Sequence, residues 1–323
     1  MNESSIIKFL EHLGCKRIRK RGDEINCSCP FPENHKHGDR HPSFGVRINA
    51  SGVSPYGCFG CGERGIIERL ARERGVHDVD STYVLNVATN CSWYQKPPVH
   101  KEEPVFFDDR YLNDFSGQMS NFFRIRGLSI DTMKTWELGY DHMFGRATIP
   151  VRDIGGKLGM VIGRDVRGRS RAKYSNYVLD KVQDRLVPFL LREKVEEEFV
   201  RPTKHFFLYG EHRIGLLKEN DDLIIVEGPM DVLKLYEYGY YAVGIMGSFP
   251  NDRQISTLIE AVPKGCRLVI MADADKAGRR LSKELQSRMG GIHLVEAILP
   301  DGHDPGDSSR SEIDFSLENA KKP

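Results

Sequence analysis

The sequence predicts an α/β protein made of a small, β-rich zinc-binding domain at the N-terminus, an α+β subdomain and a parallel-sheet α/β subdomain. Two observations support this class. Between residues 221 and 307, short apolar runs alternate with amphipathic segments of helical length. Near the N-terminus, the pair Cys58 and Cys61 follows a segment rich in cysteine and histidine. The first pattern is typical of a parallel sheet covered by helices, and the second of a tetrahedral zinc site.

The C-terminal pattern alternates strands with helices. The runs Leu-Ile-Ile-Val at 223–226 and Leu-Val-Ile-Met at 268–271 have the length and bulk of strands buried on both faces. This order predicts a parallel sheet with right-handed crossovers. The predicted strands are 223–226, 241–245, 268–272 and 292–298, and the predicted helices are 229–238, 251–261 and 276–289.

Three acidic motifs accompany these predicted strands. They are Glu227-Gly-Pro-Met-Asp231, Asp273-Ala-Asp275 with Ala277-Gly278 behind it, and Asp304-Pro-Gly-Asp307. The carboxyl ends of parallel strands meet at one edge of a sheet, where ligands bind. Asp273 and Asp275 are two residues apart, so an extended backbone projects both to the same side. Carboxylates gathered in this way repel one another without a counter-charge, and Mg²⁺ takes such oxygen ligands.

Taken in order, the three motifs resemble the TOPRIM domain shared by DnaG-type primases, topoisomerases and some nucleases. The resemblance implies that the catalytic residues are Glu227, Asp231, Asp273, Asp275 and Asp304. It implies that Mg²⁺ or Mn²⁺ is held by Glu227, Asp273, Asp275 and Asp304. Glu227 is expected to act as a ligand or as a general base, and Asp231 to support the cluster. Where the family often has Asp-Pro-Asp, this chain has Gly306 and a displaced Asp307, whose role is left open.

Composition and charge limit the class of protein. The chain has 323 residues, room for two or three domains, and its 47 Lys and Arg against 46 Asp and Glu indicate no particular partner. No apolar run approaches the roughly 18 residues of a membrane span, and no signal peptide is evident. We expect a soluble, intracellular protein, and the resemblance implies the bacterial cytoplasm, with a cellular or a phage gene as its source. Seven cysteines fit a reducing compartment with some of them binding metal.

A short amphipathic helix is expected at residues 3–13, with Ile6 and Leu10 on its apolar face and Gly14 as its stop signal. A basic segment with cations at residues 17, 19, 20 and 21 follows. This segment is either a solvated connection or a nucleic-acid contact.

The zinc ligands are expected from a Cys-x-x-Cys knuckle and the loop before it. Cys58 and Cys61 place two thiolates on one tight turn. Cys29-Pro-Phe, the later Pro-Ser-Phe and Cys-Phe-Gly-Cys-Gly resemble the zinc ribbon of DnaG-type primases, which implies Cys29, one histidine, Cys58 and Cys61 as ligands. Counting back from Pro-Ser-Phe favours His37, our expected ligand, whereas proximity to Cys29 favours His35, its alternative. Four protein ligands leave no open position, so this Zn²⁺ is expected to be structural.

Aromatic and basic residues alternate in the expected zinc ribbon. Phe44, Tyr56 and Phe59 lie among Arg47 and Arg64, a combination suited to contact with single-stranded DNA. The same aromatics also suit the core of a small domain, and core is favoured for Phe44 and Phe59. In the family, this module reads the template where a primer starts.

The middle of the chain predicts a linker and then a second unit. A helix is expected from residue 65 to about 74, and the proline-rich residues 89–104 are expected to let the zinc domain move. Residues 121–140 have a helix-turn-helix-like rhythm with Ser129 as N-cap, and a hairpin is expected to turn at Gly155 and Gly156.

A basic stretch precedes the acidic motifs. Its cations at residues 167, 169, 171 and 173 are spaced by two, so an extended backbone would arrange them along one face, as contact with a nucleic-acid backbone or triphosphate requires. This region also resembles the N-terminal half of the primase polymerase core. By position, the resemblance implies that Arg146, Arg164 and Lys173 bind nucleic acid or nucleotide.

Most of the chain thus resembles a compact DnaG-type primase. The resemblance implies synthesis of short RNA primers by two-metal nucleotidyl transfer, with structural Zn²⁺ and catalytic Mg²⁺ or Mn²⁺. Expected partners are single-stranded DNA template, ribonucleoside triphosphates, the nascent RNA primer, the replicative helicase and single-strand-binding protein, with no membrane. The expected units are a zinc ribbon at 1–88, a linker at 89–104, a basic subdomain at 105–215, a TOPRIM subdomain at 216–310 and a tail at 311–323.

Two other classes are left open. One is a non-catalytic DNA-binding protein similar to RecR, against which the full acidic set and the basic middle unit argue. The other is a TOPRIM nuclease or topoisomerase, although this length leaves little space for a separate domain bearing a catalytic tyrosine. Only 16 residues follow Asp307, too few for the helical and helicase-binding domains of bacterial primases, so the resemblance implies a compact primase, either viral or plasmid-borne or with its helicase contact elsewhere.

Overall fold

A computed structural model describes residues 1–35, 42–48, 53–74, 76, 103–115, 121–168, 170, 172–189, 198–202, 206–247, 249–289 and 294–321. Within these ranges the strands form three sheets, of which the first two are antiparallel and the third is parallel. The predicted α/β class, with a β-rich N-terminal domain and a C-terminal parallel sheet, is confirmed.

The first sheet has the order β1-β2-β3-β4-β5 and forms the N-terminal domain. Its strands are β1 (Arg19–Arg21), β2 (Glu24–Cys27), β3 (Phe44–Arg47), β4 (Pro55–Cys58) and β5 (Arg64–Ile66). Helix α1 (Glu3–His12) packs Ile6 and Leu10 into the core of this domain, and helix α2 (Ile67–Glu73) follows β5. Helix α1 begins as predicted because the Asn2 side chain accepts a hydrogen bond from the Ser5 backbone N–H.

The aromatic residues of this domain divide between core and surface. Phe44 and Tyr56 are buried, with ring centroids 5.0 Å apart. The side chain of Phe59 is 51% exposed. The core prediction is therefore confirmed for Phe44 and wrong for Phe59, which lies at the tip of the Cys-Phe-Gly-Cys turn.

The N-terminal domain packs against the parallel-sheet subdomain. The Arg64 guanidinium donates to the carbonyl oxygens of Val262 at 2.9 Å and Cys266 at 3.2 Å, and also to that of Pro263. Ile66 belongs to the same buried cluster as the parallel sheet. These contacts differ from the expected free movement of this domain. Of the expected linker, residues 89–102 lie outside the described residues.

The second sheet has the order β10-β9-β8-β7-β6, with β11 paired to β9. Its strands are β6 (Gly139–Asp141), β7 (Arg146–Arg152), β8 (Leu158–Asp165), β9 (Tyr174–Asp180), β10 (Arg185–Pro188) and β11 (Phe199–Val200). Two short helices precede it, α3 (Asn121–Ile125) and α4 (Ile130–Thr135). As predicted, Ser129 caps α4 by accepting from the Thr132 N–H at 3.1 Å, and Gly156 takes a positive φ of 83° in the β7–β8 turn.

The basic stretch is not a single extended strand, so that prediction is wrong. Strand β8 ends at Asp165, whose carboxylate accepts hydrogen bonds from the backbone N–H groups of Arg167 and Ser170. These bonds, with Gly168 at a φ of 66°, turn the chain into a hairpin connection that re-enters the sheet at Tyr174. Residues 169 and 171 lie outside the described residues.

The third sheet is parallel, in the order β13-β12-β14-β15. Its strands are β12 (Asp222–Val226), β13 (Tyr241–Gly244), β14 (Arg267–Ile270) and β15 (Leu294–Glu296). The helices are α5 (Pro229–Glu237), α6 (Asp252–Glu260), α7 (Lys276–Met289) and α8 (Arg310–Glu318). Single 3₁₀ turns lie at Pro32–Asn34, Asp109–Asp114 and Glu211–Leu216.

Both faces of the parallel sheet are buried, which is why residues 223–226 and 268–270 of its central strands are all apolar. Ile224 and Val226 pack on one side in a cluster that also contains Ile149 and Ile162 of the second sheet. Leu223 and Ile225 pack on the other side with α6 and α7. The two C-terminal subdomains therefore share one hydrophobic core.

The expected C-terminal tail, residues 311–323, contains most of helix α8. Ser309 caps α8, which buries Ile313 and Leu317 in the core shared by the second and third sheets. Beyond the helix, Lys321 pairs with Glu296 of β15. Among the described residues, no helix has the length and apolarity needed to cross a membrane.

Candidate active site

A cavity of about 460 Å³ lies at the carboxyl ends of β12 and β14, between the second and third sheets. Glu227 follows β12, Asp231 lies in the first turn of α5, and Asp273 follows β14. Five acidic residues line the cavity: Glu227, Asp231, Asp273, Asp304 and Asp307. The structure thus brings together four of the five predicted catalytic carboxylates, and also the doubtful Asp307.

Two glycines let these carboxylates converge. A Cβ atom on Gly306 would lie 2.9 Å from Asp231 Oδ1 and 3.2 Å from Asp304 Oδ1. A Cβ atom on Gly278 would lie only 2.1 Å from the Asp273 carbonyl oxygen. The Ala-Gly of the second motif therefore lets α7 begin directly against the Asp273 backbone, and an acid at position 306 would collide with its neighbours.

Asp275 caps α7 and does not line the cavity, which differs from its predicted role as a catalytic residue and metal ligand. Its side chain is exposed, and its Oδ1 accepts hydrogen bonds from the backbone N–H groups of Ala277 at 2.7 Å and Gly278 at 2.9 Å. An aspartate in this position caps the helix. Its charge nevertheless reaches the cluster, since it raises the pKa of Asp273 and of Glu227.

Burial and mutual repulsion raise the pKa values of the acidic cluster. Burial, with the charges of Asp273 and Asp275, raises the pKa of Glu227 to about 7. Burial and the charges of Asp273 and Asp304 raise the pKa of Asp231 to about 8, and burial with Asp304 raises that of Asp273 to about 6. Within the described residues, Glu227 Oε1 and Asp273 Oδ1 are buried and have no hydrogen-bond donor. Such carboxylate oxygens fit a divalent cation.

We expect the metal-free protein to become less stable as the pH rises from about 5 to about 8. The three raised pKa values mean that the folded state binds more protons than the unfolded state over this range, so each carboxylate opposes folding as it ionises. Asp231→Asn should lessen the decline because it removes one of the three ionising carboxylates. Its amide oxygen can still accept from the Gly228 N–H, which lies 2.9 Å from Asp231 Oδ2. Melting temperatures across this pH range measure the effect. An unchanged pH dependence in the variant would contradict the assignment.

The side of the cavity next to the second sheet is basic. Arg164 of β8 and Lys173 just before β9, both predicted, line it, and Arg126 lines the cavity beside Asp307. The Arg164 guanidinium carbon lies 5.3 Å from the Phe122 ring centroid and 4.7 Å from that of Tyr174, and its Nη1 donates to the Tyr174 hydroxyl at 2.5 Å. These contacts hold one cation facing the acidic cluster.

Arg146 does not reach the cavity, so its predicted role in direct binding is not supported. Its side chain is 1% exposed, and its guanidinium donates to the carbonyl oxygens of Gly163 at 3.1 Å and Ala172 at 3.3 Å. It fixes the β8–β9 connection, which carries Lys173.

Sequence reasoning missed three polar residues of this cavity: Arg126, Tyr174 and Asn176. Tyr174 and Asn176 are two residues apart on β9, so the extended backbone projects both to the same side. Arg126 gave no such signal. It reaches the cavity because α3 packs beside the sheet, and its Nη1 lies 3.8 Å from Asp307 Oδ1 at the rim.

A second cluster lies in the N-terminal domain and has the donor set of a zinc site. The ligand atoms of Cys29, His35, Cys58 and Cys61 all lie within 4.8 Å of one another. Cys29 Sγ is 3.8 Å from Cys61 Sγ, and Cys58 Sγ is 3.5 Å from His35 Nε2. Thiolates about 2.3 Å from a tetrahedral Zn²⁺ lie about 3.8 Å apart, so the residues present fit this ion.

His35 occupies the histidine position of this cluster. Gly60, inside the Cys-x-x-Cys turn, makes room for its ring, since a Cβ atom there would lie 2.6 Å from His35 Cε1. The preferred ligand of the sequence analysis, His37, lies outside the described residues. The alternative therefore completes a set of four, which leaves no fifth position in a tetrahedral site.

We expect His35→Ala to lose bound zinc and His37→Ala to retain it. A structural site with three remaining ligands is incomplete, and zinc binding contributes directly to folding. Zinc content of the purified proteins and their melting temperatures measure both effects. Zinc loss from the His37 variant alone would reverse the assignment.

Comparison with known proteins agrees with these two clusters. A family model described as Toprim-like matches residues 224–309. The chain is 26% identical over 346 residues to the DNA primase of Legionella pneumophila, covering 97% of this chain and 58% of that protein. It is 24% identical to the DNA primase of Escherichia coli strain K12, covering 92% of this chain and 56% of that protein.

A solved structure shares the fold. The Aquifex aeolicus primase, containing its zinc-binding and RNA polymerase domains, superposes with a TM-score of 0.52 at 20% identity, covering 99% of this chain and 84% of that one. The resemblance to DnaG-type primases is thereby confirmed. The chain spans just over half the length of the curated relatives it matches.

Proposed function

We propose that this relative of DnaG-type primases is a DNA-directed RNA polymerase of the primase type, which synthesises short RNA primers on single-stranded DNA. The observation that supports this most directly is the two-sided cavity. Carboxylates suited to divalent cations form one wall, and Arg164 and Lys173 form the other, with Arg126 beside Asp307 at the rim. A nucleoside triphosphate needs both, since its phosphates carry charge and its transfer requires that charge to be neutralised.

Each wall has a distinct task in the proposed reaction, attack of a ribose 3′-hydroxyl on the α-phosphate of an incoming ribonucleotide with release of pyrophosphate. Glu227, Asp273 and Asp304 would hold Mg²⁺ or Mn²⁺, and Asp231 would support them. Such cations lower the pKa of the attacking hydroxyl and stabilise the leaving oxygen. Arg126, Arg164 and Lys173 would hold the triphosphate. With a pKa near 7, Glu227 is also suited to accept the hydroxyl proton.

The proposed partners follow from the same reaction. Template and primer strands would enter along the basic wall, and the zinc ribbon would contact the template. We also propose a replicative helicase and single-strand-binding protein as partners, by similarity to the primases that the chain matches.

Primer synthesis can be tested with a single-stranded template, ribonucleotides and Mg²⁺ or Mn²⁺. Short RNA products that depend on Asp273 would support the proposal. Cleavage of the template would instead indicate a TOPRIM nuclease, and template binding without products would indicate a RecR-like mediator. Varying the template sequence would then identify where synthesis begins.

We expect Arg126→Gln and Asp307→Asn to change triphosphate affinity in opposite directions. Arg126 faces the cavity and lies 3.8 Å from Asp307, so the carboxylate competes with phosphate for the same guanidinium. Loss of the arginine should weaken binding of ATP with Mg²⁺ about tenfold, and loss of the acid should strengthen it severalfold. Calorimetry measures both affinities.

Arg124→Gln provides the matched control for this pair. Arg124 is exposed on α3, two residues before Arg126, and does not line the cavity. Equal losses in the Arg124 and Arg126 variants, or weaker binding by the Asp307 variant, would contradict the role given to this contact.

A further inference from the structure

One face of helix α7 is a row of exposed cations outside the cavity. Lys276, Arg279, Arg280 and Lys283 are all exposed, while Leu281 and Leu285 of the same helix are buried. Residues spaced by three and four share one face of a helix. In the part of the chain that the structure describes, none of these four side chains forms an ion pair. Exposed Lys and Arg side chains usually alternate with acids, whereas this row is of one sign.

An exposed aromatic ring lies beside this row. Phe249, in the loop between β13 and α6, is 56% exposed, and the Arg280 guanidinium carbon lies 5.0 Å from its ring centroid. The Arg280 contact covers one part of the ring, and the remainder faces solvent.

The row and the ring continue from the candidate active site. Met246 and Gly247, in the same loop as Phe249, line the cavity. Helix α7 begins directly after Asp275 at the acidic edge. From Lys276 to Lys283 the helix rises by about 10 Å, the length of roughly three stacked nucleotides. A strand leaving the cavity on this side would therefore meet both Phe249 and the cations.

We propose that Phe249 and the basic face of α7 form a second contact for single-stranded DNA, in which a base stacks on Phe249 and the backbone phosphates lie along Arg279, Arg280 and Lys283. This inference rests on the proposed function, because it extends the template path beyond the cavity. Charge complementarity selects a phosphate backbone, and the exposed ring selects an unpaired base, since a base inside a duplex has no free face. An acidic protein would use the cations but would not need the aromatic ring.

The test measures binding of a fluorescently labelled single-stranded oligonucleotide to the full chain across a range of salt concentrations. The variant R279Q/R280Q/K283Q should lose about tenfold or more in affinity, and its salt dependence, the slope of log affinity against log salt, should become shallower by about 2. Phe249→Ala should lose about tenfold while keeping the wild-type slope, because stacking releases no counterions.

The matched control is K134Q/K181Q/K218Q, which removes three exposed cations away from α7. Its affinity and slope should stay close to those of the wild type, and melting temperatures should show that all variants fold. Wild-type binding by the α7 variant, or an equal loss in the control, would overturn the proposal. Equal competition by duplex DNA would overturn the stacking contact at Phe249.

Failure of this inference is separable from failure of the proposed function. Asp273→Asn should bind the oligonucleotide like the wild type and make no primers, whereas the α7 variant should make primers once template is saturating. If the α7 variant binds normally while primers still depend on Asp273, the second contact is wrong and the primase assignment stands. If neither the wild type nor any variant makes primers but the α7 variant alone binds the oligonucleotide more weakly, the primase assignment is wrong and the second contact stands.

Discussion

Asp273→Asn should abolish primer synthesis, with a loss of at least about a hundredfold, and should remove most of the stabilisation that Mg²⁺ gives to the folded protein. Asp273 lies at the centre of the acidic edge, where it raises the pKa values of both Glu227 and Asp231. Its Oδ1 is buried without a donor among the described residues, so a cation is the partner that this oxygen lacks. The amide keeps the size of the side chain and removes its charge.

Two measurements check this expectation: RNA product yield and the rise in melting temperature when Mg²⁺ is added. Asp301→Asn is the matched control, since Asp301 is exposed, precedes the third motif and does not line the cavity. Without Mg²⁺, the Asp273 variant should be more stable than the wild type at neutral pH, because one repelling charge is gone. A variant that kept a full Mg²⁺ response would show that the cation binds elsewhere.

Gly278→Ala should lower both the stability of the protein and its response to Mg²⁺, because the added Cβ atom displaces the backbone. The added Cβ atom would lie 2.1 Å from the Asp273 carbonyl oxygen and 2.8 Å from Glu227 Oε1, so α7 and the second motif must separate. Overpacking of this kind costs about 1–3 kcal/mol, which corresponds to a fall of about 5 °C in melting temperature for a domain of this size. The Mg²⁺ response should be lost as well, because two of the proposed ligands move.

Gly215→Ala isolates the effect of position. No atom lies within 4 Å of the Cβ that it would add, and its φ is not positive, so a change within about 0.5 kcal/mol is expected. An unchanged melting temperature and Mg²⁺ response in Gly278→Ala would contradict the claim that glycine is needed at position 278 for the close approach of α7 to the Asp273 backbone.

The parallel sheet could be predicted almost completely because its strands are apolar on both faces. Strand β12 and helix α7 were placed within a residue or two of their observed ends. The pattern could not show that α8 closes the same core, because the spacing of Ile313 and Leu317 by four indicates a helix face but not the surface on which it packs. The basic stretch was misjudged because charge spacing was given more weight than Asp165 and Gly168, which are turn-forming residues.

The acidic half of the candidate site was predictable because each carboxylate follows a strand of known direction. Asp275 was the exception, since its spacing fits both a ligand and a helix cap, and only the two N–H contacts decide between them. The basic half of the site was harder to predict from the sequence. Arg126 and Arg146 look alike in sequence, but one faces a cavity and the other is buried between strands, a difference that only tertiary packing creates.

The contact made by strand β5 has a consequence for how the protein denatures. Arg64 and Ile66 lie just beyond the Cys-x-x-Cys turn, yet their partners belong to the parallel sheet and its helices. Chelation of a zinc ion bound at this turn would loosen the turn. It would also weaken the contacts that Arg64 and Ile66 make with the parallel-sheet subdomain. Zinc removal should therefore also lower the stability of the parallel-sheet subdomain. The N-terminal domain and this subdomain should melt as one cooperative unit instead of in separate steps.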